Sequence, residues 1–250
     1  MDSTAQRVVL VTGASRGIGA EAAAQYGATG ARVIVNFREK RKRAQAVVDR
    51  IVAAGGRASA LGADVSDPAA VETLAAEIEA NFGRLDVLVL NASGGLERDA
   101  DPGYATRLNR DAQVNLATTM LPLMPSGGRI VFVTSHQAHF YRANDEVPQG
   151  YGPIAASKRA GEDALRALIP EFRSREIGFT VVSGDMIDGT IIVRLLERRD
   201  PNSVESRRAA GPLPTVEEFA RVIVRAGADD VIDGHTYYVG GDDYLALPRQ

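Results

Sequence analysis

Residues 7–19, RVVLVTGASRGIG, join three structural signals in direct succession. The β-branched run predicts a strand, the glycines after it predict a tight turn, and the Ala-rich stretch from Ala20 to Ala28 predicts a helix. In this arrangement the N-terminus of the helix can bind a phosphate. Because Gly13 lacks a Cβ, the backbone can also approach a pyrophosphate closely. The segment therefore indicates a dinucleotide site, although its G-x-x-x-G-x-G spacing differs from the usual G-x-G-x-x-G.

Short apolar runs alternate with helical patterns along the rest of the chain. The candidate strands span residues 7–12, 32–36, 57–61, 86–91, 129–134, 179–182 and 236–239. The candidate helices span residues 18–28, 39–54, 67–82, 104–123, 154–172 and 215–226. Because the core strands are continuously apolar, we expect parallel strands that are covered by helices on both faces. The predicted fold is α/β, a doubly wound, Rossmann-like sheet of about seven parallel strands, in a single domain over residues 1–250.

Composition narrows the class of function. A chain of 250 residues can bury a large core, and its net charge of −3 gives no general attraction to nucleic acid or to an anionic membrane. It has no cysteine, so disulfides and thiol chemistry are excluded, and no metal-ligand spacing appears. The N-terminus lacks the pattern of a signal peptide, and the apolar runs are only strand-sized. We therefore expect a soluble, cytoplasmic protein.

The end of the second predicted strand indicates which dinucleotide binds. A carboxylate about twenty residues beyond the glycine turn would hold a ribose 2′-hydroxyl and favour NAD. Phe37 occupies that place, Arg38 follows it, and Arg16 lies inside the glycine turn. Two guanidinium groups suit a 2′-phosphate, so the sequence favours NADP(H) as cofactor, with Glu39 as a counter-argument. The basic run from Lys40 to Arg43 is interpreted mainly as a solvated face.

Several motifs in a fixed order carry a family resemblance. They are TGASRGIG at 12–19, Asp64-Val65, Asn91-Ala92-Ser93, Asn115 in VNLA, Ser135, Lys158 in AASKRAGEDAL, Ser183-Gly184 and DGHTYYVGG at 233–241. Over nearly its whole length the chain resembles the short-chain dehydrogenase/reductase family. The resemblance implies hydride transfer between nicotinamide and a carbonyl or alcohol carbon of a small molecule. It also implies a homodimer or homotetramer.

The resemblance assigns roles to individual residues. Ser135 would position the substrate oxygen, Lys158 would hold the nicotinamide ribose, and Asn115 would hold a water that links the lysine to solvent. The cofactor contacts that it implies are Gly13, Ser15, Arg16, Gly17, Ile18, Gly19, Arg38, Asp64, Val65, Asn91, Ala92, Ser93, Lys158 and Gly184.

The family pattern breaks at its proton donor. A tyrosine should stand four residues before Lys158, one helical turn away, but Ile154 occupies that position. Loss of such a group typically lowers the rate by about 10²- to 10⁴-fold. Two functions therefore stay open. The protein is an NADP(H)-dependent reductase of a carbonyl or similarly polarised double bond with an atypical proton donor, or it is a cofactor-binding protein without turnover that serves as a regulator or partner subunit.

Three explanations for the missing tyrosine compete. Tyr151 could substitute for it from the segment just before the helix. Another group in the loop after Ser135 could act, and the candidates there are His136, His139 and Tyr141. Alternatively, water or the substrate itself provides the proton, as would suit a polarised imine, quinone or conjugated alkene.

Two segments are expected to form the walls of the substrate pocket. The loop between Ser135 and Ile154 is longer than the family usually has, and residues 185–213 match the family's substrate lid. The lid contains five arginines, namely Arg194, Arg198, Arg199, Arg207 and Arg208. They would either bind a phosphorylated or carboxylate substrate or form the polar face of a lid helix.

Overall fold

A seven-stranded parallel sheet forms the centre of the computed structural model, which describes residues 6–95, 101, 103–142, 150–228 and 233–242. The strands are β1 (Val8–Val11), β2 (Arg32–Phe37), β3 (Arg57–Gly62), β4 (Val87–Leu90), β5 (Arg129–Ser135), β6 (Gly178–Gly184) and β7 (Thr236–Val239). Their order is β3-β2-β1-β4-β5-β6-β7, and every neighbouring pair is parallel. The predicted doubly wound sheet is therefore confirmed.

Helices connect the strands. They are α1 (Gly17–Ala28), α2 (Arg41–Ala53), α3 (Pro68–Phe82), α4 (Tyr104–Thr106), α5 (Ala112–Met120), α6 (His136–His139), α7 (Gly152–Ala167), α8 (Ile169–Ser174), α9 (Ile191–Arg199), α10 (Pro201–Ala210) and α11 (Val216–Ala226). A π-helix at Arg107–Asp111 joins α4 to α5, and a 3-10 turn at Leu121–Leu123 follows α5. Helix is therefore found at all six predicted positions, but the predicted helix 104–123 is interrupted by the π-helix. The predicted helix 154–172 begins earlier, at Gly152, and is divided at Leu168.

Both faces of the sheet are buried, which explains its continuously apolar strands. Val9 and Val11 of β1 point into the core beneath α1, α2 and α11. Val8 and Leu10 point into the opposite core beneath α3, α5 and α7. Because successive side chains of a strand face opposite ways, a sheet that is covered on both sides has no polar face.

Local side-chain and glycine signals mark the ends of α3 and the start of α11. Asp67 accepts a hydrogen bond from the N–H of Ala69 (3.0 Å) at the start of α3, and Gly83 ends that helix in the left-handed conformation. At the start of α11 the side chains of Thr215 and Glu218 each accept a hydrogen bond from the other's backbone N–H. Local sequence signals therefore set these helix boundaries.

No helix among the described residues has the length and apolarity that a membrane span requires.

Helix α7 packs very closely on the π-helix. A Cβ at Gly161 would lie 2.1 Å from the backbone oxygen of Asn109, far inside van der Waals contact. Asn109 is buried, with 2% of its surface exposed. The absence of a side chain at Gly161 therefore allows the backbones of the two helices to touch, which sets the position of α7 relative to the sheet.

We predict that Gly161→Ala destabilises the protein even though alanine is the better helix former by about 1 kcal/mol. The added methyl group must push α7 away from Asn109, and overpacking of this kind costs about 1–3 kcal/mol. The free energy of unfolding from urea titration measures the loss. Gly27→Ala in α1 is the control, because the added methyl meets only a methyl group of Ile51 there and should cost less. A Gly161→Ala variant as stable as the parent would contradict the close packing.

Candidate active site

The turn between β1 and α1 requires its glycines. Gly13 and Gly17 have φ angles of 63° and 56°, in the left-handed region that L side chains rarely adopt. A Cβ at Gly19 would lie 2.6 Å from the Asn91 amide nitrogen. Arg16 is exposed at the N-cap of α1 and supplies no side-chain hydrogen bond to the helix. The first turn of α1 is therefore uncapped by its own chain, as an anion-binding helix start would be.

The loop after β4 is fastened to this turn. The Thr12 hydroxyl accepts hydrogen bonds from the N–H groups of Asn91 (2.9 Å) and Ala92 (3.0 Å). The Asn91 side chain donates in return to the Thr12 carbonyl (2.8 Å). Ser93 is exposed just beyond. The predicted contacts Asn91 and Ala92 thus lie directly beside the glycine turn.

The ends of β2 and β3 meet at the same edge. Asn36 is buried, and its side chain accepts from the Gly13 N–H (3.4 Å) and donates to the Ala63 carbonyl (3.2 Å). Asp64 follows directly and accepts from the Ser66 N–H (2.9 Å). Val65 is buried behind it. The ends of β2 and β3 thus form one continuous rim beside the glycine turn, and this rim includes the predicted cofactor contacts Asp64 and Val65.

Arg38 lies on this rim and is partly exposed. Its guanidinium donates to the Tyr104 hydroxyl of α4 and pairs with Glu39 at 3.3 Å. Tyr104 was not among the predicted site residues. Its contact with Arg38 spans 66 positions of sequence, so no local pattern could have revealed it.

Tyr151 and Ser135 form the centre of the catalytic candidate. The Tyr151 hydroxyl lies 2.9 Å from the Ser135 hydroxyl, and the tyrosine is 5% exposed. The Tyr151 carbonyl accepts hydrogen bonds from the N–H groups of Ile154 (3.0 Å) and Ala155 (2.9 Å), so its backbone is anchored on the start of α7. Of the alternatives that the sequence left open, the geometry brings Tyr151 to the serine.

Ile154 fills the position where the family carries tyrosine. It is buried in a small apolar cluster with Ala138, Tyr151 and Ala155. Tyr151 and Lys158 are seven residues apart, almost two full helical turns, so both project from the side of α7 that also carries Ile154. Tyr151 therefore lies one turn before Ile154 on the helix face that also carries Lys158.

Lys158 lies in a poorly solvated position. Burial lowers the pKa of Lys158 to about 8, against the opposing effect of the Glu162 carboxylate. No hydrogen bond or ion pair joins its ammonium group to any residue that the structure describes. An ammonium in this position retains its full capacity to donate to a ligand.

Glu162, one turn beyond Lys158, is held in a buried ionic cluster. It accepts from Arg166 (2.8 Å) and contacts the Nδ1 atom of His139 (2.8 Å). Burial alone would raise the pKa of Glu162, but His139 and Arg166 together lower it. Glu162 is therefore negatively charged at neutral pH and favours the protonated form of Lys158.

The structure places Asn109, which was not among the predicted site residues, beside this part of α7. The Asn109 amide donates to the Gly94 carbonyl and to the Ser157 hydroxyl, both at 3.0 Å, and so lies beside the residue that precedes Lys158. Asn115 lies six residues further along, in α5, where its backbone carbonyl accepts from the Thr118 hydroxyl. Asn109 therefore supports the start of α7 through Ser157, and the role of Asn115 stays a prediction.

The two loop histidines are both engaged in structural contacts. His136 is buried, and its ring nitrogens contact the Ser183 hydroxyl and the Gly240 carbonyl, each at 2.8 Å. Since a carbonyl only accepts, Nε2 carries the proton and Nδ1 accepts from Ser183. Burial lowers the pKa of His136, which favours this neutral form. His139 bridges Glu162 and Tyr238. The geometry gives the histidine hypothesis no support.

The predicted pocket walls are only partly described. Residues 143–149 of the loop before α7 lie outside the described residues. The segment 185–213 forms α9 and α10, and among its five arginines Arg207 alone turns inward, onto Asp185. Arg208 pairs with Asp188 and Glu197 on the outside. The other arginines are exposed on α9 and α10, and the role of this segment as a substrate lid stays a prediction.

Comparison with known proteins agrees with this architecture. A family model described as short chain dehydrogenase matches residues 7–200, and the chain belongs to that family. No group of three potential metal ligands occurs among the residues that the structure covers.

Three similar proteins illustrate the chemistry within the family. Versicolorin reductase 1 of Aspergillus parasiticus is 41% identical in an alignment of 202 residues. The alignment covers 78% of this chain and 75% of the relative. The 1-cyclohexenylcarbonyl-CoA reductase of Streptomyces collinus is 31% identical in an alignment of 254 residues. That alignment covers 97% of this chain and 89% of the relative. The angucycline C-6 ketoreductase LanV, solved with bound NADP, superposes with a TM-score of 0.80 at 26% identity, covering 94% of this chain and 95% of LanV.

We predict that Lys158 titrates near pH 8. The chain has three lysines, Lys40, Lys42 and Lys158, so reductive ¹³C-methylation should give few NMR signals. One signal should titrate with a midpoint of about 8 and be missing from Lys158→Arg. If no lysine signal titrates below about pH 9.5, given an ordinary lysine pKa of about 10.4, the proposed desolvation of Lys158 is wrong.

The same shift has a stability consequence. Because the pKa of Lys158 in the folded protein lies below the unfolded value of about 10.4, the folded state binds fewer protons between about pH 8 and pH 10.4. The free energy of unfolding should therefore rise with pH in this window, relative to Lys158→Met. If the free energy of unfolding has the same pH dependence in the parent protein and in Lys158→Met, the lysine is well solvated.

Proposed function

We propose that this protein is an NADPH-dependent reductase that transfers a hydride to a carbonyl or similarly polarised double bond of a small molecule, with Tyr151 as proton donor. The observation that carries the proposal is the 2.9 Å contact between the hydroxyls of Tyr151 and Ser135. Together these two hydroxyls supply a pair of hydrogen-bond donors for one substrate oxygen. A role in binding alone would not require that pair of hydroxyls together with a desolvated lysine on the same helix face.

The cofactor site suits a dinucleotide phosphate. The uncapped start of α1 and the open space around Gly17, where a Cβ would meet no neighbour within 4 Å, leave room for a pyrophosphate. Arg16 and Arg38 would hold the 2′-phosphate of NADP(H), and the bound NADP in LanV supports this choice. Glu39 is an exposed competitor for Arg38, and pairs of that kind contribute about 1 kcal/mol or less. The doubly charged 2′-phosphate should therefore displace the Glu39 carboxylate from Arg38.

NADPH, when bound, supplies the hydride. The protein then has to orient the substrate oxygen and deliver a proton to it. Ser135 would orient the oxygen, and Tyr151 would donate its hydroxyl proton as charge develops there. The Lys158 ammonium would hold the nicotinamide ribose and favour the tyrosinate that remains. Asn109 would keep the start of α7 in place through Ser157.

Substrate class is suggested by the relatives. One relative is named for reduction of versicolorin and another structural neighbour for an angucycline C-6 ketone, while a third is named as a reductase of a cyclohexenylcarbonyl thioester. The names support reduction of a ketone or an enone on a ring system. Residues 185–213 would act as the lid over that substrate. The cytoplasmic location and the homodimer or homotetramer stay predictions.

We predict that Tyr151→Phe lowers kcat for NADPH oxidation with a panel of activated ketones and quinones by about 10²- to 10⁴-fold. The dissociation constant for NADPH should not change, because the hydroxyl acts on the substrate. Tyr141→Phe is the matched control, since Tyr141 packs against the same apolar cluster and should retain activity. Ile154→Tyr should give no gain if the donor has moved to Tyr151. Full activity of Tyr151→Phe would refute the assignment.

A rival function follows from Ile154, namely a cofactor-binding protein without turnover that serves as a regulator or partner subunit. Measurement of turnover by the wild-type protein distinguishes the reductase from the binding protein. We expect slow turnover that Lys158→Ala weakens strongly. Tight NADPH binding without reduction of any carbonyl, imine or alkene would favour the rival.

A further inference from the structure

Asp185 lies next to the catalytic serine across the sheet. It directly follows Gly184, which pairs in register with Ser135 of β5 on one side and with Val239 of β7 on the other. The Asp185 N–H donates to the Val239 carbonyl at 3.0 Å, so its backbone continues the strand by one residue. Its side chain therefore starts one residue beyond the strand position that adjoins Ser135, at the sheet edge where ligands of such folds bind.

The Asp185 carboxylate is only half satisfied. Its Oδ2 atom accepts from Arg207 of α10, at 3.1 Å from Nε. Its Oδ1 atom is buried and accepts no hydrogen bond from any residue that the structure describes. The side chain as a whole is 4% exposed. A buried acceptor without a donor is unfavourable, and so few are left unpaired in folded proteins. Oδ1 is therefore placed to accept from a group outside the chain.

The surrounding charges define which donor fits. Arg207 already balances the charge of Asp185. His136, which also faces this cluster, has its pKa lowered by burial, which favours its neutral form. A cationic ligand would bring an unbalanced positive charge into a buried place, so a neutral O–H or N–H donor is favoured. Arg207 belongs to α10, part of the segment that would act as the substrate lid, so the carboxylate would lie on the substrate side of the site.

We propose that Asp185 is a specificity-determining residue whose free Oδ1 accepts a hydrogen bond from a neutral hydroxyl group of the substrate. The substrate would thus be a hydroxylated ketone or enone, with its hydroxyl on the lid side of the carbonyl that is reduced. Arg207 holds the carboxylate in the orientation that leaves Oδ1 free. The inference rests on the proposed function for the reaction itself, but its binding step can be tested without turnover.

The probes are 1- and 2-naphthol and their methyl ethers, which differ only in the hydroxyl donor. Calorimetry on the protein saturated with NADP⁺ gives each dissociation constant. A hydrogen bond to a charged acceptor should make at least one naphthol bind about 10-fold more tightly than its ether, or better. In Asp185→Asn, whose amide is uncharged, the preference should fall to about 3-fold or less. Asp188→Asn is the matched control, because Asp188 pairs with Arg208 on the outside and its loss should not affect the ratio.

Two results would overturn the proposal. The wild-type protein binds no naphthol more tightly than its ether, or Asp185→Asn retains the full preference. If Asp185→Asn retains the preference and also weakens NADPH binding, Oδ1 serves the cofactor instead. Absence of the preference in the wild-type protein overturns the proposal even where the variant does not fold. A naphthol preference that Asp185→Asn removes, without reduction of any ketone by the wild-type protein, would refute the proposed function while leaving the role of Asp185 intact.

Discussion

Asn109 and Gly161 bring two helices closer together than ordinary side chains would allow. The bare backbone of Gly161 lies against the Asn109 carbonyl, while the Asn109 amide donates to Gly94 after β4 and to Ser157 in α7. These contacts fix the start of α7 relative to the sheet. The π-helix supplies the irregular turn from which Asn109 makes them, and such turns occur frequently at functional sites.

The fixed position of α7 explains how the site tolerates Ile154. Tyr151, one turn earlier, projects from the same face of the helix and contacts Ser135. Ile154 packs against Tyr151 in the buried apolar cluster. Lys158 stays on that face, poorly solvated and biased toward its charged form by Glu162. Serine and tyrosine are thereby brought together, and the lysine stays on the helix face of the tyrosine, although the usual spacing is missing. Their use as the catalytic group is our proposal.

The sequence predicts the sheet and the helix ends because local chemistry decides them. Continuously apolar strands, the Asp67 cap and the capping box at Thr215 each act within a few residues. The site was predicted less completely. The sequence offers both Asn109 and Asn115 as asparagines that could support Lys158, and the family pattern points to Asn115. The π-helix that carries Asn109 cannot be recognised in the sequence pattern. The seven-residue spacing of Tyr151 and Lys158 was available as a signal for a shared helix face. The contacts of Arg38 with Tyr104 and of Asp185 with Arg207 are long-range and depend on the folded chain.

The relocated proton donor is the central claim, and a crystal structure of the ternary complex with NADP⁺ and an aromatic alcohol product tests it most directly. We expect the hydroxyls of Tyr151 and Ser135 both to lie within hydrogen-bond distance of the product oxygen, about 2.6–3.2 Å. A product oxygen bound to Ser135 and to water or another side chain, with Tyr151 turned away, would contradict the account.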